Sequence, residues 1–207
     1  MLKIINTPKK NEKLAEFVGI MLGDGNIYSS KKYGIYRIKI TGNSITDKEY
    51  LLEFVKPLIE DLFNSKVSFG FEKDRLGLNL RLASFNLLNF LLTIGLIPGD
   101  KIQNKITIPR WIKQNNEYLI ACIRGLIDTD GTVFEQARGS GRWSIGFKNN
   151  NRILLEDVRE ALISLGFHPT NITINAIFIC RQEEINLFLK RISFNNLKHK
   201  LKLVALN

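Results

Sequence analysis

The sequence Val18-Gly19-Ile20-Met21-Leu22-Gly23-Asp24-Gly25 lies near the N-terminus, and Arg124-Gly125-Leu126-Ile127-Asp128-Thr129-Asp130-Gly131 repeats its pattern in the second half. Each segment is an apolar run with helical spacing that ends in Asp-Gly, and glycine is the usual residue just past a helix end. The two aspartates, Asp24 and Asp130, are separated by about half of the 207 residues. A carboxylate repeated at two matching helix ends predicts one site assembled from two related halves.

Small residues recur four positions apart in both segments. Gly19 and Gly23 fall on one face of the first helix, and Gly125 and Thr129 take the same places in the second. Small side chains at this spacing let two helix backbones approach closely. We therefore predict that the two helices pack against each other and bring their Asp-Gly ends side by side.

The two carboxylates need a compensating positive charge. A helix C-terminus carries partial negative charge, and two neighbouring carboxylates repel each other. A hard divalent cation bound by oxygen ligands is the natural compensation. We predict Asp24 and Asp130 as metal ligands, together with the backbone of Gly23 and Thr129. Asp128 has no acidic counterpart in the first segment, and we assign it a structural role.

Hydrophobic periodicity gives both halves the same order of elements. In the first half, helical spacing covers residues 11–22, 45–63 and 85–94, and alternation predicts hairpins over 27–41 and 67–82. In the second half, helices are predicted over 116–127, 153–165 and 183–192, with strand pairs over 133–148 and 171–181. The sequence therefore predicts an α+β protein with two pseudo-symmetric αββαββα halves, residues 1–97 and 115–207, joined by a linker over 98–114. We expect each half to be an antiparallel, saddle-shaped sheet backed by helices, with the two halves meeting at the two-helix interface.

Composition indicates the kind of partner and the compartment. The net charge is +10 and the sequence pI about 9.6, which favours a polyanionic partner. Cys122 and Cys180 are isolated and are predicted to be buried thiols in a reducing compartment. No signal pattern follows Met1, and no apolar stretch is long enough to span a bilayer. We expect an intracellular protein of the cytoplasm, nucleoid or an organelle, not a secreted or membrane protein.

Several chemistries are excluded by what the sequence lacks. His168 and His199 are the only histidines, too few for a histidine-based nuclease or a zinc cluster. No glycine-rich phosphate-binding loop is present, which argues against ATP-driven chemistry.

The predicted hairpins have one apolar and one polar face. Tyr36, Ile38 and Ile40 alternate with basic and polar residues, and Trp143 begins the same pattern in the second half. The polar side chains are of the types that contact base edges and phosphates, although a merely solvated sheet face is the alternative. The predicted nucleic-acid contacts are Ser29, Lys31, Lys32, Arg37, Lys39, Thr41, Lys73, Arg75, Asn79, Arg81, Gln136, Arg138, Arg142, Ser144, Lys148, Thr173, Asn175 and Arg181.

The two segments and the order of elements around them resemble the LAGLIDADG homing endonucleases, in the single-chain form that carries two motifs. Residues 123–131 depart modestly from the family signature, whereas residues 17–25 keep its central glycine, the small residue before the aspartate and the final Asp-Gly. The resemblance implies a nuclease that cuts both strands of DNA across a minor groove and leaves short 3′ overhangs. It assigns Mg²⁺ to Asp24 and Asp130, with Mn²⁺ as a substitute and Ca²⁺ bound without supporting cleavage.

The resemblance also implies a basic residue near each metal ion, beyond the last helix of each half. Lys101 or Lys105 fits the first half and Lys198 or Lys200 the second, and we favour Lys105 and Lys200 as catalytic residues. A polar residue at the end of the second strand corresponds to Gly42-Asn43 in one half and Asn149-Asn150 in the other. The two half-sites are therefore expected to be chemically unequal.

The function predicted from the sequence is a site-specific, intron-encoded double-strand DNA endonuclease. The expected partner is double-stranded DNA with a long, non-palindromic target, bound by a monomer. The alternative is an intron RNA maturase or a binding-only protein of the same fold.

Overall fold

The computed structural model describes residues 5–73 and 75–204. In the first half, strands and helices alternate in the predicted order, with helices that begin at side-chain caps. Asn11 accepts a hydrogen bond from the backbone nitrogen of Leu14 at 2.8 Å, and Ser84 caps the third helix in the same way. The elements are α1 (Glu12–Leu22), β1 (Gly25–Ser30), β2 (Ile35–Asn43), a π-helical segment (Tyr50–Val55) that continues into α2 (Lys56–Phe63), β3 (Ser68–Phe71), β4 (Gly77–Ala83) and α3 (Phe85–Thr93).

The second half repeats this order with one strand fewer. Its principal helix is longer than α1 and extends through Asp130, with Asn115 as its N-cap. The elements are α4 (Arg110–Lys113), α5 (Asn116–Asp130), β5 (Gly131–Glu135), β6 (Trp143–Lys148), α6 (Arg152–Ser164), β7 (Ala176–Ile179), α7 (Gln182–Arg191) and α8 (Leu197–Val204).

Each half has one antiparallel sheet whose inner face packs on the helices. The first sheet has the strand order β1-β2-β4-β3 and the second β5-β6-β7. Ile38 and Ile40 on β2 face Leu82 and Leu80 on β4, and all four are buried. The predicted α+β class with antiparallel sheets is confirmed, as is the inward orientation of the alternating apolar residues.

The strand pair predicted over 171–181 is wrong in part. Only Ala176–Ile179 forms a strand, and residues 171–175 contribute a tight turn in which Ala176 donates to the carbonyl of Thr173 at 2.8 Å. Before the turn, the backbone nitrogen of Thr170 donates to the carbonyl of Phe178 at 2.8 Å, and Pro169 beside it has no amide hydrogen to add to the pairing. Thr173 is limited to an isolated bridge to Ala176.

Three helical features also differ from the prediction. The helix predicted from residue 45 begins later, and its first part is π-helical, directly before Pro57, whose ring has no amide hydrogen to donate. The linker contains the short helix α4, and the C-terminal lysine-rich segment forms α8. The two cysteines are free; Cys122 is buried as expected, whereas Cys180 is exposed.

The halves meet along α1 and α5, as the small-residue spacing predicted. A methyl group on Gly19 would overlap the backbone carbonyl of Cys122, and one on Gly125 would lie 2.5 Å from the carbonyl oxygen of Glu16. Both glycines are therefore required by backbone contact across the interface. Arg124 closes the same interface with a 3.0 Å ion pair to Glu16. Across residues 5–73 and 75–204, no helix has the length and apolar character needed to cross a membrane.

Candidate active site

The ends of α1 and α5 bring the two motif aspartates to one place. α1 ends at Leu22 and Gly23 caps it, whereas α5 continues through Asp130 and is capped by Gly131. A methyl group on Gly23 would overlap the hydroxyl of Thr129 and lie 3.6 Å from Oδ2 of Asp130. The side-by-side placement of the two Asp-Gly ends therefore follows directly from the close packing of the two helices.

The electrostatics of this place favour a bound cation. Burial raises the pKa of Asp24 from its ordinary value of 3.8 to about 7, and the negative charge of Asp130 adds to the effect. Burial also raises the pKa of Asp130, against a hydrogen bond from Asn149 and the charges of Lys101 and Lys198. Two carboxylates that are hard to ionise in the free protein gain the most from a positive ion placed between them.

Lys101, not Lys105, lies at this site. The Nζ atom of Lys101 donates to the carbonyl oxygen of Leu22 at 2.9 Å and to that of Gly23. Burial lowers the pKa of Lys101 to about 8, although the charges of Asp130 and Asp24 act in the opposite direction. Lys105 is exposed, at the end of the turn that follows Lys101. The choice of Lys105 is therefore corrected to Lys101, the other lysine of the predicted pair.

In the second half, the lysine that lies at the site is Lys198 and not the predicted Lys200. Lys198 forms a 2.8 Å ion pair with Asp47. Its positive charge acts against the rise in the pKa of both Asp24 and Asp130. Lys200 is two residues further along α8, half-buried, and Lys198 takes the position beside the carboxylates. Which of the two lysines lies beside the carboxylates depends on the first turn of α8, and the sequence did not predict this helix.

Asp47 is a site residue that sequence reasoning missed. It is buried and accepts hydrogen bonds from the backbone of Asn43 and from Nδ2 of Asn196, each at 2.9 Å. Burial acts to raise the pKa of Asp47, but the hydrogen bonds from Lys198 and Asn196 outweigh it and hold this pKa below its ordinary value. Asp47 therefore remains charged and fixes Lys198 beside Asp24. No motif marks Asp47, because the chain between β2 and the second helix was read as helix.

The two half-sites differ at the end of the second strand of each sheet. The strand registers pair Gly25 with Ile40 and Gly131 with Phe147, so Gly42 and Asn149 occupy equivalent positions. Asn149 donates from Nδ2 to Oδ2 of Asp130 at 2.8 Å. A side chain at Gly42 would lie 3.1 Å from Cβ of Asp47, so Asp47 fills this space in the first half.

Asp128 ties the C-terminal segment to α5. It is buried and accepts hydrogen bonds from the backbone nitrogens of Asn195 at 2.9 Å and Asn196 at 3.1 Å. Asn196 in turn donates to the carbonyl of Asp128 at 3.0 Å. These contacts support a structural role for Asp128, because they position the start of α8 and hence Lys198.

The predicted contact residues of the first half lie mainly on the outer face of its sheet and in its hairpin turns. Arg37, Lys39, Thr41 and Arg81 share this face, opposite the buried isoleucines and leucines. Lys31, Lys32, Lys73 and Arg75 lie exposed in the two hairpin turns.

Two predicted contacts of the first sheet are corrected. Ser29 pairs with Tyr36, which places it on the inner face, because β1 begins at Gly25 and so fixes the alternation. Asn79 is on the outer face but buried, because its side chain accepts from Thr41 at 2.7 Å and donates to Glu72 at 3.1 Å. The alternation that excludes Ser29 places Asn26 and Tyr28 on the outer face, and the prediction omitted both.

The outer face of the second sheet is less polar than predicted. Ser144 is buried beneath Gln136, which donates to its hydroxyl at 3.1 Å. Thr173 and Asn175 lie in the turn before β7 and not on a strand. The exposed predicted residues of this half are Gln136, Arg138, Arg142, Lys148, Thr173 and Arg181.

An open cleft of about 560 Å³ joins the aspartate site to both outer faces. Asn26 of the first sheet and Lys148 of the second line it together with Lys101, Asp130 and Asn149. The two outer faces and the carboxylate of Asp130 therefore belong to one continuous surface. In the part of the chain that the structure describes, no three His, Cys, Asp or Glu side chains cluster as a complete metal site. A cation here would need further oxygen ligands from water or a phosphate.

This arrangement defines a class of protein: two related halves, each an antiparallel sheet packed on helices, with an acidic pair at the contact of two central helices. The family model for the LAGLIDADG-like domain matches residues 117–193, from α5 through α7. An uncharacterized protein of Methanocaldococcus jannaschii, MJ0398, is 28% identical over 76% of this chain. The chain spans about half the length of that relative.

Solved structures share the whole fold. I-DmoI in complex with DNA and Mn has a TM-score of 0.62 at 23% identity, covering 88% of this chain and 96% of that chain. The homing endonuclease I-WcaI bound to its DNA recognition sequence has a TM-score of 0.58 at 16% identity, covering 95% and 88%. The LAGLIDADG meganuclease I-AabMI bound to uncleaved DNA has a TM-score of 0.56 at 12% identity, covering 90% and 86%. The resemblance predicted from the sequence is confirmed: residues 117–193 match the LAGLIDADG-like domain model, and the chain has the fold of these solved LAGLIDADG structures.

Proposed function

We propose that this protein is a site-specific double-strand DNA endonuclease that hydrolyses one phosphodiester on each strand with divalent metal. The observation that carries the proposal is the pair Asp24 and Asp130 at the contact of α1 and α5, with Asp130 lining a cleft that reaches two sheet faces. A net charge of +10 supplies the electrostatic attraction that DNA phosphates require. I-DmoI, I-WcaI and I-AabMI share this fold and are described in complex with DNA.

The residues at the site fit a hard divalent cation. Asp24 and Asp130 offer carboxylate oxygens, and the carbonyl of Gly23 already attracts a positive group, the ammonium of Lys101. Oxygen-only donors of this kind suit Mg²⁺, with Mn²⁺ as a substitute, and the related I-DmoI has been described with Mn, Ca and Mg. Bound Mg²⁺ supplies Lewis acidity and a more acidic water for an in-line displacement at phosphorus.

The protein's own side chains position and neutralise the reacting groups. Lys101 and Lys198 flank the carboxylates, and each would offset negative charge that develops at a scissile phosphate. With a pKa of about 8, Lys101 is able both to hold and to release a proton at Nζ near neutral pH. Asn149 orients Asp130, and Asp47 orients Lys198.

The proposal also covers the division of the chain, its oligomeric state, the kind of target and the genomic context. We propose residues 1–97 and 115–207 as the two halves and 98–114 as their linker, and a monomer suffices because one chain supplies both aspartates. The unequal partners at Gly42 and Asn149 support a non-palindromic target, and the two sheet faces that meet at the cleft support a long one. An intron or its insertion site is the proposed genomic context.

The test is cleavage of plasmids whose target sequence has not been chosen in advance. A plasmid library with a randomised 24-base-pair insert, on the order of the length that two sheets would cover, is incubated with the protein in Mg²⁺ and, in parallel, in Ca²⁺. We expect linear plasmids that share one sequence in Mg²⁺, and binding of the same sequence without cleavage in Ca²⁺. Sequence-specific binding with no cleavage in Mg²⁺ or Mn²⁺ would contradict the nuclease and identify a binding-only protein.

A further inference from the structure

The outer face of the second sheet carries an aromatic patch. Phe134 of β5 and Phe178 of β7 meet across Gly146 of β6, with ring centroids 5.8 Å apart and planes at 88°. A methyl group on Gly146 would lie 2.9 Å from the ring of Phe178, so the glycine leaves room for the aromatic pair. Phe134 is 39% exposed. We call these three residues the aromatic patch.

The equivalent place on the first sheet is basic. In that sheet, the cross-strand row contains Lys39 paired with Arg81, where the second sheet has Gly146 paired with Phe178. Tyr28, which corresponds to Phe134, lies under Arg37 with the guanidinium 5.2 Å from the ring centroid. The two faces that are predicted to read the two half-sites thus differ at this place: the first presents the cations Lys39 and Arg81, and the second presents the exposed Phe134 beside the half-buried Phe178.

Folding of the second half does not require the patch to be apolar. The inner face of the sheet, with Val133, Ile145 and Ile177, already buries the core. The patch lies on the opposite face, and Lys148, two residues beyond Gly146 on the same strand, lines the cleft with Asp130. The patch therefore lies on the sheet face that continues into the cleft, which is the surface that would face DNA.

We propose that Phe134 and Phe178 recognise the C5-methyl groups of thymine in one half-site. The proposal rests on the proposed function, because it requires this face to lie in the major groove. Among the base-edge groups of the major groove, the thymine methyl is the one that favours contact with an apolar side chain. The half-site under the second sheet is thus read through methyl groups, and the half-site under the first sheet through hydrogen-bond acceptors and phosphates.

The expected size of the effect follows from burying one methyl group. Removing a methyl from a tight apolar contact lowers affinity by about fourfold, and removing two lowers it by on the order of tenfold. Replacement of thymine by deoxyuridine removes only that methyl and leaves base pairing intact. The contact is therefore testable without altering the protein.

The experiment begins with selection of a binding site from a random duplex library in Ca²⁺, with the full chain. Each thymine of the selected site is then replaced singly by deoxyuridine, and affinities are measured for the wild type and for F134A/F178A. We expect about a fourfold loss at one or two thymines of a single half-site for the wild type. The variant should bind thymine and deoxyuridine duplexes equally at those positions. The single variant F134A serves if the double variant fails to fold.

Phe69→Ala is the matched control, because Phe69 is a 51% exposed aromatic residue on the inner face of the edge strand β3. This variant should keep the wild-type sensitivity to deoxyuridine. The proposal is overturned if no deoxyuridine weakens the wild type, or if F134A/F178A keeps the fourfold loss. It is also overturned if the wild type is a dimer in solution and F134A/F178A a monomer, since the patch would then bind a second copy. A library that yields no preferred sequence overturns the proposed function as well.

Discussion

Replacement of Asp24 by asparagine is expected to stabilise the metal-free protein at pH 8. Burial and the charge of Asp130 raise the pKa of Asp24 to about 7, from an ordinary value of 3.8 that it regains on unfolding. A raised carboxyl pKa means that the folded state binds a proton more tightly than the unfolded state. The stabilisation by that proton is full below pH 3.8 and is lost as the pH rises through about 7. At pH 8 the folded protein must therefore hold an unfavourable charge.

The magnitude follows from the size of the shift. At 1.36 kcal/mol per pKa unit, the shift corresponds to about 4 kcal/mol as an upper value. Asp24 is half-buried and water screens part of its charge, so we expect about 2 kcal/mol. Asparagine has nearly the same shape and no charge, so D24N should unfold at higher urea concentration than the wild type at pH 8.

The assay is urea unfolding in EDTA at pH 4 and pH 8. The advantage of D24N should be about 2 kcal/mol at pH 8 and nearly absent at pH 4, where Asp24 is protonated in the folded state of the wild type. Millimolar Ca²⁺ should then stabilise the wild type more than D24N, because a cation bound to the folded state shifts the unfolding equilibrium. An advantage of D24N that is equal at both pH values, or absent at both, would refute the electrostatic reasoning.

Three further predictions concern the helix contact and the two half-sites. Gly19→Ala places a methyl group on the carbonyl of Cys122 and should destabilise the fold by about 3 kcal/mol in urea unfolding, whereas Gly70→Ala on the edge strand should change stability by less than about 1 kcal/mol. Lys101→Met should slow plasmid cleavage on the order of 100-fold while DNA binding in Ca²⁺ persists; equal rates for this variant and the wild type would contradict its place at the site. Asn149→Ala frees Asp130 and should slow one strand about tenfold more than the other, so that nicked plasmid accumulates on a strand-resolved gel; equal slowing of both strands would argue against unequal half-sites.

The helix contact and the position of the aspartates could be predicted from the sequence, because they depend on local spacing. The sequence marks Gly19 and Gly125 as contact positions, because each lies four residues before another small residue. Once two backbones touch at these glycines, helix geometry alone places Asp24 and Asp130 together. The inner faces of the sheets were equally predictable from period-two alternation, as at Ile38 and Ile40.

The sequence left open which residues surround the aspartates, because the fold of distant segments decides it. Lys198 reaches the site only through α8 and its ion pair with Asp47, a contact between residues far apart in the sequence. Lys101 and Lys105 are alike in type, and only the fold of the turn decides which ammonium meets the carbonyl of Gly23. Asn79 is of a residue type that contacts bases, but its side chain is hydrogen-bonded to Thr41 and Glu72 and is buried.

The central claim is that one metal-dependent DNA-cleaving site is built from both halves of the chain. Its most direct test is strand-resolved cleavage of a plasmid that carries the selected site, in Mg²⁺, by the wild type, Asp24→Asn and Asp130→Asn. We predict linear product for the wild type, and for each variant a loss of double-strand cleavage on the order of 100-fold with DNA binding in Ca²⁺ retained. Linear product from either variant at the wild-type rate would contradict the claim.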